Sequence, residues 1–190
     1  MLMSEISVTN LKLDGLKLLT RNHHLDARGA FHKIFSSFHL ADAWNHPIQQ
    51  INLSQTLQKG TVRGLHLQLP PETEAKIVTC LKGKIFDVAV DLRQDSDTFL
   101  QWHAEELSED NLSSLLIPAG FAHGFQALSD NIEMLYLHSH NYVKDKEFGI
   151  HHLDETLKIT WPLQITVCSE KDKILPRLSK QIIEEIKNEM

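Results

Sequence analysis

Four side chains in the middle of the chain have the chemistry needed to move protons: His66, Lys76, His123 and Tyr136. A neutral imidazole is a good general base near neutral pH, especially when a carboxylate fixes its tautomer. A lysine ammonium can stabilise a developing oxyanion, and a tyrosine on a facing strand can return a proton from the other side of a substrate. Each residue alone is more often structural, so only their combination predicts a proton-transfer site.

Short strands separated by turns must position these groups. Alternating or β-branched residues predict strands at 66–68, 76–81, 85–91, 99–107 and 131–137. The corner at Pro118 and Gly120 delivers His123 to the start of a further strand. Alternation puts Asp87 and Asp91 on one face of their strand, where a buried carboxylate needs a partner. Strands at such regular intervals indicate an all-β sandwich or barrel.

Two helices are expected outside the sheets. Residues 38–44 could form a short helix that ends before Pro47, and residues 179–190 read as an amphipathic surface helix. Gln50 and Asn52 share one face of a predicted strand. These amides either face inward to bind a polar ligand or lie on a solvent-exposed sheet surface, and the pattern leaves both interpretations open.

Length and composition limit the class of protein. A chain of 190 residues with 42% hydrophobic residues fits a single domain spanning residues 1–190. The net charge of -6 gives no basic surface for nucleic acid, and no segment approaches the roughly 20 apolar residues of a membrane span. Cys80 and Cys168 form no CxxC motif, so we expect no disulfide framework, no zinc site and a cytoplasmic location.

Two spacings resemble the sequence motifs of cupins. The first is Gly60-x5-His66-x-Gln68-x3-Glu72-x10-Gly83, and the second is Pro118-x-Gly120-x2-His123. In metal-binding cupins the first motif carries His-x-His, but Gln68 occupies the second of those histidine positions here. An amide in place of an imidazole weakens transition-metal binding. We therefore expect an all-β, cupin-like jelly roll without a metal ion, although a metal-dependent cupin enzyme remains an outside alternative.

Longer segments carry a more specific resemblance. They are RGLH at 63–66, AKIV at 75–78, FDVAVDLR at 86–93, IPAGFAHGF at 117–125 and ITWP at 159–162. In this order they resemble the dTDP-4-dehydrorhamnose 3,5-epimerase family over residues 26–172. The resemblance implies a cofactor-independent epimerase that inverts C3, C5 or both in a nucleotide-diphosphate-linked 4-keto-6-deoxyhexose. It also implies a role in deoxysugar and surface-polysaccharide biosynthesis, including O-antigen and lipopolysaccharide.

The resemblance implies four catalytic residues. His66 is the general base, and Asp172 is the carboxylate that orients its ring. Lys76 stabilises the enolate, and Tyr136 is the acid on the opposite face. If Arg63 and His66 both line the pocket, the regular strand between them must be interrupted, because residues three apart face opposite ways. We therefore predict a β-bulge near Gly64.

The resemblance also implies the residues that bind the substrate. His123 and Tyr142 line the sugar pocket, Arg63, Gln50 and Asn52 bind the nucleotide diphosphate, and Arg28 and Phe31 reach into the partner subunit's site of a homodimer. The family usually has a glutamate near the base where this chain has Lys33, and an aromatic residue where it has Leu67. These departures favour the hypothesis that the base is not thymine, with a CDP-linked sugar as one option.

Several alternatives stay open from the sequence. The enzyme could invert C3 alone, could be a 3,4-ketoisomerase on the same scaffold, or could be a non-catalytic cupin that binds sugar nucleotides. His138 and His140 continue the strand of Tyr136, and we expect both to be solvent-exposed.

Overall fold

The computed structural model describes residues 6–189 as two packed antiparallel sheets with a small hairpin beside them. One sheet has the order β1 (Ile6–Asn10), β2 (Lys17–Arg21), β10 (Ser113–Ile117), β7 (Lys76–Lys82), β12 (Ile132–His138) and β5 (Gln50–Thr56). The other has the order β13 (Glu147–Gly149), β6 (Val62–Gln68), β11 (Phe121–Ala127), β8 (Lys84–Asp91) and β9 (Trp102–Ser108). The hairpin consists of β3 (His23–Asp26) and β4 (Gly29–His32). The predicted all-β jelly roll is confirmed.

On two strands of the six-stranded sheet, β7 and β12, the inner face changes from apolar to polar along the strand. On β7 the inward side chains run from Val78, in the hydrophobic core, to Lys76; on β12 they run from Met134 through Tyr136 to His138. The apolar ends pack between the sheets and form the main core. The polar ends therefore surround the open end of the jelly roll, where a ligand can enter.

The helical prediction for residues 38–44 is wrong. This segment contains consecutive turns, with Trp44 N–H donating to Leu40 O, and it lies on the outer face of the six-stranded sheet. Leu40 and Trp44 are buried there against Ile77 and Leu137. A segment this short gains more from burying two large side chains on the sheet than from a single isolated helical turn.

The helical prediction near the C-terminus is confirmed. Helix α2 (Lys180–Glu189) buries Ile186 and exposes its charged face, while Met190 lies outside the described residues. A one-turn helix, α1 (Glu170–Lys173), was not expected; the Ser169 hydroxyl caps it by accepting a hydrogen bond from Asp172 N–H. A 3-10 helix, Lys144–Lys146, precedes β13. Within residues 6–189, every helix is too short or too polar to span a membrane.

Asp91 has the partners that its burial requires. Its carboxylate accepts hydrogen bonds from Arg93 Nη2 at 2.7 Å, Ser96 Oγ at 2.5 Å and Thr98 Oγ1 at 2.6 Å. Burial alone would raise the pKa of Asp91, but these hydrogen bonds outweigh it and hold the pKa below its usual value. The ionised carboxylate therefore fastens the loop after β8.

We expect Asp91→Asn to lower the free energy of unfolding by about 3 kcal/mol at neutral pH, because it removes the buried counter-ion of the Arg93 guanidinium and leaves only the exposed Asp14, 3.8 Å from Arg93 Nη1. The folded-state pKa is depressed, so the contribution is present above about pH 4 and is lost as the pH falls through that lower value. Urea unfolding between pH 7 and pH 2 measures the difference in free energy of unfolding between wild type and Asp91→Asn. This difference should become smaller as the pH falls. Asp95→Asn, which changes an exposed carboxylate in the same loop, is the control. A difference in free energy of unfolding between wild type and Asp91→Asn that does not depend on pH would contradict the prediction.

Candidate active site

A cavity of about 770 Å³ opens between the two sheets. The four predicted catalytic residues, His66, Lys76, Tyr136 and Asp172, all lie on its wall. Three predicted binding residues, Arg63, Asn52 and His123, lie there as well. Side chains from distant parts of the chain thus converge on one space large enough for a sugar nucleotide.

His66 and Asp172 form a hydrogen-bonded pair at this wall. His66 Nε2 lies 2.8 Å from Asp172 Oδ1, and the other carboxylate oxygen accepts from Gly64 N–H at 3.2 Å. Burial raises the pKa of Asp172, but the hydrogen bond and charge of His66 and the Gly64 N–H outweigh this and hold the pKa below its usual value. An ionised Asp172 accepts the Nε2 proton, so the neutral ring carries its basic lone pair on Nδ1.

The predicted bulge at Gly64 is confirmed. Across β6 and β11, His66 pairs with His123 and Arg63 pairs with Phe125, so two residues of β6 face one of β11. Gly64 has a φ of +108°, and a Cβ there would lie 2.6 Å from His123 O. The bulge therefore needs glycine, and it turns both Arg63 and His66 toward the cavity.

We expect Gly64→Ala to destabilise the fold more than Gly29→Ala. Both glycines have a positive φ, which costs another residue about 1–3 kcal/mol, but Gly29 has nothing within 4 Å of its Cβ position. The overlap with β11 should add about 2 kcal/mol for Gly64→Ala, and it should displace His66 and reduce activity. Urea unfolding of both variants measures the difference. Equal losses would show that backbone strain alone accounts for the effect.

A second imidazole–carboxylate pair lies beside the first. His123 Nε2 is 2.8 Å from Asp87 Oδ1, and Asp87 is fully buried. Burial raises the pKa of Asp87, while the nearby charges of His123 and Lys76 oppose that shift. His123 is thus the partner that a buried Asp87 was expected to need. Asp87 in turn holds the His123 ring beside the Tyr136 ring, with the centroids of these two rings 6.3 Å apart.

Tyr136 faces His66 from the opposite sheet. It lies on β12, its hydroxyl is 3.2 Å from Ser54 Oγ, and its ring stacks on His138 at a centroid distance of 6.0 Å. Burial raises the pKa of Tyr136 to about 12. The phenol therefore keeps its proton at neutral pH and can donate it across the cavity from His66.

The expectation that His138 is solvent-exposed is wrong. His138 lies on the inner face of β12 with Tyr136, lines the cavity and bonds through Nδ1 to Glu74 Oε2 at 2.7 Å. The alternation of the strand decides this, because residues two apart share a face. His140, at the strand's end, is partly exposed and pairs with Glu72, with 3.0 Å between Nε2 and Oε2.

Asn52 is exposed but lines the cavity and contacts His138 there, whereas Gln50 lines neither this cavity nor the adjoining hollow, so its role in binding stays a prediction. Gln50 Nε2 donates to Asn52 Oδ1 at 3.0 Å, and Gln50 Oε1 accepts from Tyr142 N–H at 2.9 Å. Tyr142 lies at an adjoining hollow of about 310 Å³ that shares His66 with the main cavity. The two hollows therefore adjoin at His66 and Lys171.

Arg28, Phe31 and Lys33 do not line the cavity of their own protomer. Arg28 lies on the turn of the β3–β4 hairpin with its side chain 90% exposed and paired with Asp26, and Phe31 is 68% exposed. Lys33 follows the hairpin and is partly exposed. Their reach into a partner subunit's site stays a prediction.

Gln68 has a structural role at the position where metal cupins carry a histidine. Its Nε2 donates to Glu72 O and Asn141 O, both at 3.1 Å, and its Oε1 accepts from Val143 N–H at 2.5 Å. The amide joins two loops, which an imidazole could not do with three such bonds. Across residues 6–189, no group of three His, Cys, Asp or Glu side chains is arranged to hold a metal ion.

Two charged residues of the site were not predicted. Lys171 lines both hollows and pairs with Glu147, with 2.5 Å between Nζ and Oε2. Glu74 pairs with Lys76, with 2.8 Å between Oε1 and Nζ. Each lies one or two residues from a predicted catalytic residue, and that proximity was the signal available in the sequence.

Comparisons with known proteins agree with this geometry. The family model described as dTDP-4-dehydrorhamnose 3,5-epimerase matches residues 10–180. A dTDP-4-dehydrorhamnose 3,5-epimerase of Shigella flexneri is 42% identical over 149 residues, 77% of this chain and 82% of that protein. A dTDP-4-dehydrorhamnose 3-epimerase of Streptomyces niveus is 36% identical over 165 residues, 86% of this chain and 79% of that protein.

A solved structure of an epimerase with the same description has a similar fold. The crystal structure of dTDP-4-dehydrorhamnose 3,5-epimerase from Bacillus anthracis, with TDP and PPi bound, superposes with a TM-score of 0.88 at 38% identity. The match covers 91% of this chain and 99% of that one. Sequence, fold and the family model agree over most of the chain, which therefore belongs to the dTDP-4-dehydrorhamnose 3,5-epimerase family.

Proposed function

We propose that this protein is a nucleotide-sugar epimerase that inverts C3 and C5 of dTDP-linked 4-keto-6-deoxyglucose. The observation that carries the proposal is the cavity with His66 on one sheet, held there by Asp172 of helix α1, and Tyr136 on the other sheet. A base and an acid on opposite walls are what inversion at carbon requires, because the proton must leave from one face and return to the other.

The carbonyl at C4 makes the chemistry possible. It acidifies the hydrogens on C3 and C5, so His66 Nδ1 can take either proton while the C–H electron pair forms an enolate. Lys76 lies where a positive charge can stabilise the enolate oxygen, a contribution typically worth about 100- to 1,000-fold in rate. Tyr136 then donates its phenolic proton to the opposite face of the same carbon. No step requires a cofactor.

Positive charge at the cavity supports a diphosphate substrate. Arg63 and Lys171 both line the wall, and Arg63 is held by Thr56 Oγ1 at 3.0 Å and Gln55 O at 2.8 Å. TDP is bound in the Bacillus anthracis structure, which favours the dTDP sugar as substrate. The CDP sugar remains the alternative that Lys33 suggests.

A homodimer completes the proposal. Apolar side chains stand exposed on edge strand β5 and on the β3–β4 hairpin; Ile51 is 59%, Leu53 58% and Phe31 68% exposed. An apolar sheet edge is usually covered by a partner, and a second copy of this chain is the partner that we propose. We propose one catalytic domain over residues 1–190. Two free thiols suit a cytoplasmic location.

Deuterium exchange tests the function. The protein is incubated in deuterated water with dTDP- or CDP-4-keto-6-deoxyglucose, and the C3 and C5 proton signals are followed by NMR. We expect exchange and inversion at both carbons, faster with the dTDP sugar. Exchange at C3 alone would assign the 3-epimerase activity named for the Streptomyces niveus relative. No exchange would overturn the proposal; formation of a 3-keto product would favour a ketoisomerase, and binding without turnover a binding protein.

A further inference from the structure

Behind the cavity wall lies a carboxylate that the reaction scheme above does not use. Glu74 sits at the end of the loop before β7, with its side chain 11% exposed. Its Oε1 accepts from Lys76 Nζ at 2.8 Å, and its Oε2 lies 2.7 Å from His138 Nδ1. Lys76 and His138 line the cavity in front of it. One carboxylate therefore holds two cavity side chains on neighbouring strands.

The hydrogen bonds beyond His138 allow one arrangement of protons. Tyr142 N–H can only donate, so it requires Gln50 to present its oxygen. Gln50 Nε2 then donates to Asn52 Oδ1 at 3.0 Å, which leaves Asn52 Nδ2 to donate to His138 Nε2 at 3.3 Å. His138 must accept at Nε2, so its proton is on Nδ1 and points at Glu74. The chain of donors crosses β5 and β12 and ends on this carboxylate, in the loop before β7.

The charge of Glu74 fits that end position. Burial raises the pKa of Glu74, but the hydrogen bond to His138 and the charge and hydrogen bond of Lys76 outweigh it and hold the pKa at about 2. The carboxylate is therefore ionised throughout the neutral range. It supplies the counter-ion for an ammonium that is almost fully buried.

We propose that Glu74 is a positioning residue that holds Lys76 at the enolate oxygen and locks His138 as its Nδ1–H tautomer, so that the amides of Asn52, at the cavity wall, and of Gln50 behind it keep one orientation. It acts through these residues and does not itself touch the substrate. The kinetic part of this inference rests on the proposed epimerase function; the tautomer of His138 does not.

Glu74→Gln tests the kinetic part, because it keeps the side-chain size but removes the charge and one of two acceptor atoms. We expect kcat for exchange at C3 to fall by about ten-fold or more, since a shift of the order of 1 Å in a catalytic group can cost about 100-fold. In a Lys76→Met background the same change should alter kcat by less than about two-fold, because the group through which Glu74 acts is gone.

Glu72→Gln is the matched control. It lies in the same loop and breaks the similar but more exposed pair with His140, so kcat should change by less than about two-fold. Full kcat in Glu74→Gln, an undiminished loss in the Lys76→Met background, or an equal loss in Glu72→Gln would each overturn the proposal.

A spectroscopic measurement tests the tautomer without any substrate. In protein labelled with 15N-histidine, long-range proton–nitrogen correlation distinguishes Nδ1–H from Nε2–H rings, and the signal missing in His138→Gln identifies His138. We expect the Nδ1–H form in wild type and in Glu72→Gln, and its loss or mixing in Glu74→Gln. An Nε2–H ring in wild type would overturn the arrangement. If wild type turned over neither sugar nucleotide, the proposed function would fail while this result still stood.

Discussion

His66→Asn should abolish exchange at both C3 and C5, with a loss of about 1,000-fold or more in kcat. General-base catalysis contributes about 100- to 10,000-fold, and asparagine has no basic nitrogen while its amide can still donate to Asp172. Because one carbonyl acidifies both carbons, one base should serve both, and the two losses should be equal. The measurement is the NMR exchange assay in deuterated water, with unfolding curves to show that the fold is kept.

A matched histidine outside the cavity provides the control. His103 on β9 pairs with Glu105 at 2.8 Å between Nε2 and Oε1, much as His66 pairs with Asp172, but it does not line the cavity. His103→Asn should therefore leave both exchange rates unchanged. Loss of exchange at only one carbon in His66→Asn would show that a second group, such as His123, is the base for the other.

Tyr136→Phe should separate proton exchange from inversion. The phenylalanine keeps the stacked ring but removes the acid, so the enolate can regain a proton only from the face of His66. We expect formation of the inverted sugar to fall by about 100-fold or more, while deuterium uptake at C3 falls much less. Both rates come from one NMR time course, as product signal and as loss of the C3 proton.

Ser54→Ala distinguishes loss of the acid from loss of its hydrogen bond. Ser54 Oγ lies 3.2 Å from the Tyr136 hydroxyl, so this variant leaves the phenol in place without that partner. Its effect on inversion should be much smaller than that of Tyr136→Phe. If uptake and inversion fell in proportion in Tyr136→Phe, the tyrosine would bind the substrate and another group would donate the proton.

Local spacing predicted much of the site. The three-residue separation of Arg63 and His66 required a bulge at Gly64, and the structure contains it. The four-residue separation of Asp87 and Asp91 put both carboxylates on one face of their strand, and in the structure each is buried with a partner. Strand periodicity is a property of neighbouring residues, so it can be read from the sequence.

Burial of a particular face was harder to predict. The same periodicity placed His138 beside Tyr136, yet the sequence did not show that this end of β12 borders the cavity. The segment at 38–44 had a composition compatible with a helix, but contact with the sheet imposed turns on it. Both the burial of His138 and the conformation of residues 38–44 depend on contacts with distant parts of the chain. The sequence of a short segment does not contain that information.

The sequence by itself determined the all-β class, the family resemblance and the proton-transfer residues, because strand period, turn residues and side-chain chemistry are local. The resemblance already implied the pair of His66 and Asp172, but only the tertiary structure decided the other pairs: His123 with Asp87, and Glu74 with both Lys76 and His138. Such pairs depend on strand order and register, which follow from packing the whole chain into one core, so no local pattern specifies them.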